Sequence, residues 1–173
     1  MNSYITMLPE LPHPPQEVIA ASLALVQNSK SIFNAKYSDY ENFNIYLADQ
    51  IINNWVDQHI GPLFNGERYL AVVQTSEDSL MVHVDTNRTV VYNYILDCGG
   101  DNVSTYFTDI IDDNGNVVFE TVLPKGVWHR LDASKPHGVK NLTSKRIAIS
   151  VGNIVKLNKE AARQIRRHIK EHV

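Results

Sequence analysis

The sequence predicts a mainly β fold with flanking helices, in which about eight short strands form a double-sheet jelly roll or a barrel. From Glu67 onward, apolar and polar residues alternate for roughly eighty residues, which is the period of antiparallel strands. Clusters of Gly, Asn, Asp and Ser divide this stretch into short segments of similar length. On either side of it, apolar residues recur at helical spacing, which predicts the flanking helices.

Two helices are predicted before the strand region. Residues 1–16 are rich in proline and are expected to be an extended lead-in, because proline fixes φ and lacks an amide hydrogen. A first helix is expected to continue to about Asn28. A second helix begins near Ile45 and ends at Gly61-Pro62. Residues 15–62 would therefore form a helical support for one face of a sheet.

The β core is predicted over residues 67–152, and a last helix over residues 158–172 begins at an Asn158 cap. No repeat or linker divides the chain, so its 173 residues are expected to form a single domain. The predicted strands are Tyr69–Thr75, Leu80–Thr86, Thr89–Asp97, Ser104–Ile111, Val117–Leu123, Val127–Leu131, Gly138–Leu142 and Arg146–Gly152.

Composition and charge narrow the class of function. There is no secretion signal and no membrane-spanning stretch, and Cys98 is the single cysteine, so we expect a soluble cytoplasmic protein. From Lys156 onward there are six Lys/Arg against two Asp/Glu, whereas the preceding chain has ten against 17. Such a split can mark a nucleic-acid contact, but a solvated basic helix face explains it better. No nucleic-acid or membrane partner is therefore expected.

A histidine and an aspartate stand two residues apart in the predicted strand Leu80–Thr86. Side chains at i and i+2 leave the same face of a strand, so His83 and Asp85 are expected to reach one cation together. Alone, the pair is weak evidence for a metal site, because such pairs also occur at solvated strand ends.

A second histidine and an arginine follow in the last two predicted strands. His137, with His83 and Asp85, makes the two-histidine, one-carboxylate triad typical of non-heme Fe(II) oxygenases. Iron held by these ligands would carry one net positive charge, and a 2-oxoglutarate dianion would reverse it. Arg146, nine residues after His137, can supply the balancing cation and bind the far carboxylate through both oxygens.

The motifs resemble the signature of the Fe(II)/2-oxoglutarate-dependent dioxygenases over about residues 67–152. Their order, with a Gly-Gly turn between them, is similar to that of the prolyl hydroxylase group. Residues 128–141 also resemble the second half of the aspartyl/asparaginyl β-hydroxylases, which lack the carboxylate ligand that Asp85 provides here. The matching segments are His83-Val84-Asp85, His137-Gly138-Val139 and Arg146-Ile147-Ala148-Ile149-Ser150.

The resemblance implies a double-stranded β-helix and an oxidative reaction. In that reaction O2 and 2-oxoglutarate are converted to succinate and CO2 while a substrate is hydroxylated. His83, Asp85 and His137 would bind Fe(II), and Arg146 would bind the C5 carboxylate of 2-oxoglutarate.

Two further polar side chains are expected at the cosubstrate. Asn93 lies on the strand after the His83 and Asp85 pair, and the register set at Arg88 turns it towards the cosubstrate. Ser150 shares a strand face with Arg146 and is expected to be a second polar contact. Family members often place a tyrosine on this surface, whereas this chain has Ile95 near the matching position.

Other residues could take related roles. His129, eight residues before His137, is an alternative metal ligand. Arg88 and Arg130 could contact an acidic or peptide substrate, although single arginines on strands are usually solvated.

Three functions of different classes fit the pattern. The first is hydroxylation of an amino-acid side chain, free or within a peptide such as a prolyl peptide. A cupin-like metalloenzyme that does not use 2-oxoglutarate would share the ligands, and a non-catalytic binding module would share only the fold. The expected partner is a small-molecule or peptide substrate, and the sequence indicates neither its identity nor the oligomeric state.

Overall fold

The computed structural model describes residues 4–32, 43–85, 87–112 and 114–155. In this part of the chain the strands are β1 (Ile5–Leu8), β2 (Phe43–Leu47), β3 (Tyr69–Ser76), β4 (Leu80–His83), β5 (Val90–Asp97), β6 (Ser104–Thr108), β7 (Val117–Val122), β8 (Trp128–Asp132), β9 (His137–Lys140) and β10 (Arg146–Asn153). They form a large antiparallel sheet in the order β1-β8-β5-β10-β3-β2 and a small one in the order β4-β9-β6-β7. The predicted mainly β, double-sheet architecture is confirmed.

Helices α1 (Gln16–Asn28) and α2 (Gln50–His59), followed by a short 3₁₀ helix (Gly61–Phe64), cover one face of the large sheet. Apolar side chains from both helices and from that sheet face form the main core, which includes Val18, Ile52, Val56, Val73, Trp128, Ile149 and Val151. Within the described residues, no helix is long and apolar enough to cross a membrane.

The second helix begins later than predicted, so the prediction of its first residues is wrong. Phe43–Leu47 is an edge strand of the large sheet, paired with β3, and α2 begins only at Gln50. The carboxylate of Asp49 caps this helix by accepting a hydrogen bond from the Ile52 amide at 2.9 Å. A short apolar run is compatible with either a strand or a helix, and pairing with β3 decides the outcome.

The proline-rich lead-in contains a strand that the sequence did not predict. β1 pairs with β8 from Ile5 to Leu8, and the Trp128 indole N–H donates to the carbonyl of Pro12 at 3.1 Å. The lead-in is therefore part of the large sheet at its edge. The first predicted helix, to about Asn28, is present, whereas the helix predicted over residues 158–172 lies outside the described residues.

The second face of the large sheet packs against the small sheet. Val91 and Leu131 of the large sheet form a small core with Phe107 of the small sheet. Because side chains alternate along a strand, Asn93 and His129 lie on this same inner face. The space between the two sheets thus carries polar side chains as well as apolar ones.

Candidate metal centre and the adjoining polar pocket

The two histidines of the predicted triad face each other across a strand pair. His83, the last residue of β4, is the register partner of His137, the first residue of β9, and their ring centroids are 4.4 Å apart. The pairing of β4 with β9 is irregular between Leu80 and His83. Gly138 permits the close approach of β9 to β4, because a Cβ at this position would lie 2.7 Å from the Leu80 carbonyl oxygen.

Asp85 joins the histidines from a loop. Strand β4 ends at His83, so the predicted strand is wrong at Val84 and Asp85, and Thr86 lies outside the described residues. The Asp85 amide donates to the carbonyl of Ala133 at 3.0 Å, which fixes the loop beside the start of β9. One ligand atom from each of His83, Asp85 and His137 lies within 4.8 Å of the others, and no second cluster of this kind occurs in the described residues.

Hydrogen bonds hold both imidazole rings in one orientation. Nδ1 of His83 lies 2.9 Å from the carbonyl oxygen of Met81, and Nδ1 of His137 lies 2.8 Å from that of Lys135. A carbonyl can only accept, so these contacts assign the proton to Nδ1 and the lone pair to Nε2. Metal-binding histidines commonly have such a partner on the second nitrogen, and the donor set therefore fits a metal ion.

The environment keeps His137 in the form that binds metals. Burial, followed by the nearby charge of His83, lowers the pKa of His137 to about 4. The ring is consequently neutral at physiological pH, with the Nε2 lone pair available to a cation.

Arg88 holds the carboxylate of the triad. Its Nη2 lies 2.7 Å from Asp85 Oδ2, while Asp85 Oδ1 lies 3.7 Å from Nε2 of His83. The other guanidinium nitrogen, Nη1, lies 3.4 Å from the hydroxyl oxygen of Ser150. Gly152 makes room for this arm, because a Cβ there would lie 2.5 Å from Arg88 Cδ.

The sequence did not predict this role for Arg88, which was considered only as a solvated or substrate-facing residue. The i,i+3 spacing of Asp85 and Arg88 was visible, but pairing across that spacing requires the turn that precedes β5. That turn is fixed by Asn153, whose side-chain oxygen accepts from the amides of Thr89 and Val90, each at 3.0 Å.

Arg146 lies at the start of β10 on the sheet face that looks towards the small sheet. No carboxylate pairs with it among the described residues. The Arg146 side chain is partly exposed. Burial lowers the pKa of its guanidinium to about 10, so the group is still protonated at neutral pH. An unpaired, partly desolvated cation of this kind is a suitable partner for a ligand carboxylate.

Several buried polar atoms on the inner faces of the two sheets lack a hydrogen-bond partner among the described residues. Asn93 and Ser150 are register partners on β5 and β10, and Asn93 pairs with His129 on β8. Thr105 lies on the inner face of the small sheet. The atoms without partners are Asn93 Oδ1, Thr105 Oγ1, and Nδ1 and Nε2 of His129. Such atoms are rare in folded proteins, and their grouping fits a polar ligand between the sheets.

The predicted site residues thus fall into two groups. His83, Asp85 and His137 form the cluster, whereas Asn93 and Arg146 line the inner face of the large sheet. His129, the alternative ligand, is not part of the cluster and lies on that inner face as well.

The protein is similar to known proteins in its structure. No protein-family model matches the sequence, and no curated protein matches it. A Trichoplax adhaerens prolyl hydroxylase, solved with a peptide fragment of the hypoxia inducible factor oxygen degradation domain, superposes with a TM-score of 0.66 at 18% identity. The match covers 93% of this chain and 87% of the Trichoplax chain.

Two bacterial proteins have similar structures. A Pseudomonas putida prolyl-4-hydroxylase has a TM-score of 0.61 at 11% identity, over 88% of this chain and 94% of its own. HygX from Streptomyces hygroscopicus, solved with nickel, 2-oxoglutarate and hygromycin B, has a TM-score of 0.57 at 9% identity, over 87% of this chain and 83% of its own. The chain therefore has the fold of the prolyl hydroxylases and other 2-oxoglutarate/Fe(II) oxygenases, the superfamily that its motifs resemble.

Proposed function

We propose that this protein is a single-domain, non-heme Fe(II)- and 2-oxoglutarate-dependent dioxygenase that hydroxylates an amino-acid side chain, free or within a peptide. One observation carries the proposal: two imidazoles and one carboxylate converge within 4.8 Å, on a fold shared with oxygenases of this class. Three protein ligands on one side of a cation leave coordination positions for a cosubstrate and O2.

His83, Asp85 and His137 would hold the iron. Their orientation is set before metal binds, by the carbonyls of Met81 and Lys135 and by the guanidinium of Arg88. Preorganised ligands lose little conformational freedom on binding, which favours affinity for the metal. Fe(II), 2-oxoglutarate and O2, when bound, would supply the oxidising chemistry that converts 2-oxoglutarate to succinate and CO2 and hydroxylates the substrate.

Arg146 would bind the C5 carboxylate of 2-oxoglutarate. It has no acidic partner among the described residues, and it shares the inner sheet face with Asn93 and with the neighbouring hydroxyl of Ser150. Ile95, on the same face and almost fully buried, excludes water from the space beside these groups. Exclusion of water strengthens the attraction between a guanidinium and a carboxylate.

The substrate would approach from the side of the triad that solvent reaches. The side chains of His83 and Arg88 keep about a quarter of their surface exposed, at 24% and 27%, whereas His137 is buried. The end of β3 with the loop that follows it, residues 74–79, and the loop at residues 87–88 would contact the substrate. The Trichoplax neighbour was solved with a peptide, so prolyl peptides are the first class to test.

The test is anaerobic reconstitution with Fe(II) and 2-oxoglutarate, followed by addition of O2 and measurement of succinate. We expect slow succinate release without a prime substrate, and faster release with a peptide that gains the mass of one oxygen atom. The matched control is Asp85→Ala, which removes one ligand and should abolish succinate release. Absence of both turnover and 2-oxoglutarate binding in the iron-loaded wild-type protein would contradict the proposal.

A cupin-like metalloenzyme that does not use 2-oxoglutarate is distinguished by Arg146→Gln. If the protein uses 2-oxoglutarate, this variant keeps its metal and loses the cosubstrate. If metal-dependent activity towards another substrate persists unchanged in the variant, the 2-oxoglutarate assignment is wrong.

A further inference from the structure

The hairpin of β6 and β7 carries a large share of the exposed apolar surface. Of the ten large apolar side chains that are exposed among the described residues, five lie between the end of β6 and the end of β7. They keep 46% to 66% of their surface exposed to solvent, and they are Ile110, Ile111, Val117, Val118 and Val122. Single exposed apolar residues are common, but a group of them on one hairpin indicates a surface that binds another molecule.

Strand β7 is also a free edge. It is the last strand of the small sheet and, within the described part of the chain, it pairs only with β6. The amide and carbonyl groups on its other side are therefore available to a further strand. Tyr4, just before β1, stacks on Phe119 of β7 with ring centroids 5.6 Å apart, so the free edges of both sheets lie on one side of the molecule.

The edge lacks most of the features that usually prevent pairing. β7 contains no proline, lysine or arginine. Its one charged residue, Glu120, is engaged within the sheet, because its carboxylate lies 2.8 Å from Lys140 Nζ and accepts from the Ser104 hydroxyl at 2.7 Å. A register shift leaves Val118 without a partner on β6, but the pairing of the last four residues of β7 is regular. A strand can therefore add along those four residues.

The two ends of β7 carry opposite charges. Asp109 and Asp112, in the turn before β7, are exposed. Their carboxylates accept hydrogen bonds from neighbouring asparagines, but they pair with no cation among the described residues. Lys125, shortly after the end of β7, is exposed and has no acidic partner in the same part of the chain.

These charges make the strand complementary to a second copy of itself. Two copies of β7 that pair antiparallel about a two-fold axis would place Lys125 of each copy beside the acidic turn of the other. The same pairing would bring the exposed valines of the two copies together. Charge and apolar surface therefore both favour a copy of this chain as the occupant of the edge.

We propose that the edge of β7 is an interface at which two copies of this chain join antiparallel about a two-fold axis. The small sheets of the two copies would form one continuous sheet, and their exposed apolar side chains would be shielded from water. Like charges disfavour the register that sets Glu120 opposite itself, so the axis passes beside another residue of β7. The interface uses none of the candidate metal ligands, so the inference is independent of the proposed function.

The test is sedimentation velocity of the 173-residue chain at micromolar concentration. We expect a dimer for the wild-type protein. A variant that carries both Val118→Glu and Val122→Glu should weaken the dimer by on the order of a hundredfold or more, because like charges would face each other across the axis. The matched control is Ile51→Glu, which charges a similarly exposed apolar position on α2 and should leave the dimer intact. Thermal unfolding checks that each variant is folded.

The opposite charges at the ends of β7 are tested by Lys125→Glu. We expect the dissociation constant of the dimer to rise about tenfold at low salt, and this difference to shrink at high salt, because salt screens exposed charges. A monomeric wild-type protein, or a dimer that persists in the folded double valine variant, would overturn the inference. Unchanged dimerisation of Lys125→Glu at low salt would overturn the antiparallel arrangement.

Hydrogen exchange of the wild-type protein decides the question if the double variant does not fold. Those amides of residues 117–122 that point away from β6 should exchange more slowly as protein concentration rises, whereas the amides of α2 should not change. Protection that does not depend on concentration would show that another part of the same chain covers β7. Fast exchange at every concentration would show that the edge is left for a different molecule. Either result would overturn the inference.

Discussion

The triad and the polar pocket differ in how far their polar atoms are satisfied. In the triad, both Nδ1 atoms contact carbonyl oxygens and the carboxylate is paired with Arg88. In the pocket, the His129 nitrogens and Asn93 Oδ1 have no partner among the described residues, and Arg146 has no counter-ion there. The difference teaches that contacts within the protein orient the three candidate metal ligands, whereas the pocket leaves polar atoms unsatisfied, as we expect of groups that bind a ligand.

The largest effect is expected at Arg146. Replacing Arg146 by Gln removes the cation that would balance the buried carboxylate, so affinity for 2-oxoglutarate should fall by on the order of a hundredfold or more. Calorimetry on the Zn(II)-loaded protein measures this, and Zn(II) affinity serves as the control because Arg146 is not in the triad. A parallel loss of Zn(II) binding would show that the two regions are not independent.

The next effect concerns Arg88. Replacing Arg88 by Gln releases the carboxylate of Asp85, and loss of such a supporting partner typically weakens metal binding about 10- to 100-fold. Metal affinity measured by competition with a chelator checks this. The matched control is Lys145→Gln, which removes an exposed ion pair with Glu77 and should leave metal affinity unchanged. Equal effects of the two substitutions would contradict the assigned role of Arg88.

A smaller effect is expected in the pH dependence of stability. Burial, and then the charge of Arg146, lower the pKa of His129 to about 3 in the folded protein. Below about pH 6.5 the unfolded chain binds a proton here and the folded chain does not, so stability is lost as pH falls from 6.5 towards 3. Between pH 7.5 and 5.5 this loss is about 1 kcal/mol.

Urea unfolding of the metal-free protein at the two pH values measures this loss. His129→Phe should lose about 1 kcal/mol less stability than the wild-type protein, because the titrating group is absent. The buried His137 titrates in both proteins, so its contribution cancels in the comparison. Identical pH dependence of the two proteins would show that His129 is already protonated or accessible in the folded state.

Residue types and periodicity were sufficient for the architecture and for the grouping of the triad. Alternating apolar residues placed Asn93 and Ser150 on one sheet face, and the histidine and aspartate motif identified two members of the cluster. Strand β1 was not predicted within the proline-rich lead-in, because β1 forms by pairing with β8, a strand about 120 residues away. The helix predicted from near Ile45 overlaps strand β2 for a similar reason, although Asp49, which caps α2, marks where that helix begins.

The pairing of Arg88 with Asp85 could not be predicted from the sequence, because it depends on the turn that Asn153 fixes from a distant strand. The environment of His129 could not be predicted from the sequence either. Parity along β8 assigns a sheet face, but only the packed structure shows that both ring nitrogens are buried without partners. The sequence thus indicates which groups are available, and tertiary packing decides which of them are satisfied.

The most direct test of the account is the metal dependence of 2-oxoglutarate binding. Calorimetry would compare Zn(II)-loaded protein, metal-free protein and loaded Arg146→Gln. The account predicts one 2-oxoglutarate per chain in the loaded wild-type protein, and much weaker binding when either the metal or the guanidinium is removed. Equal binding with and without metal, or no binding to the loaded wild-type protein, would contradict it.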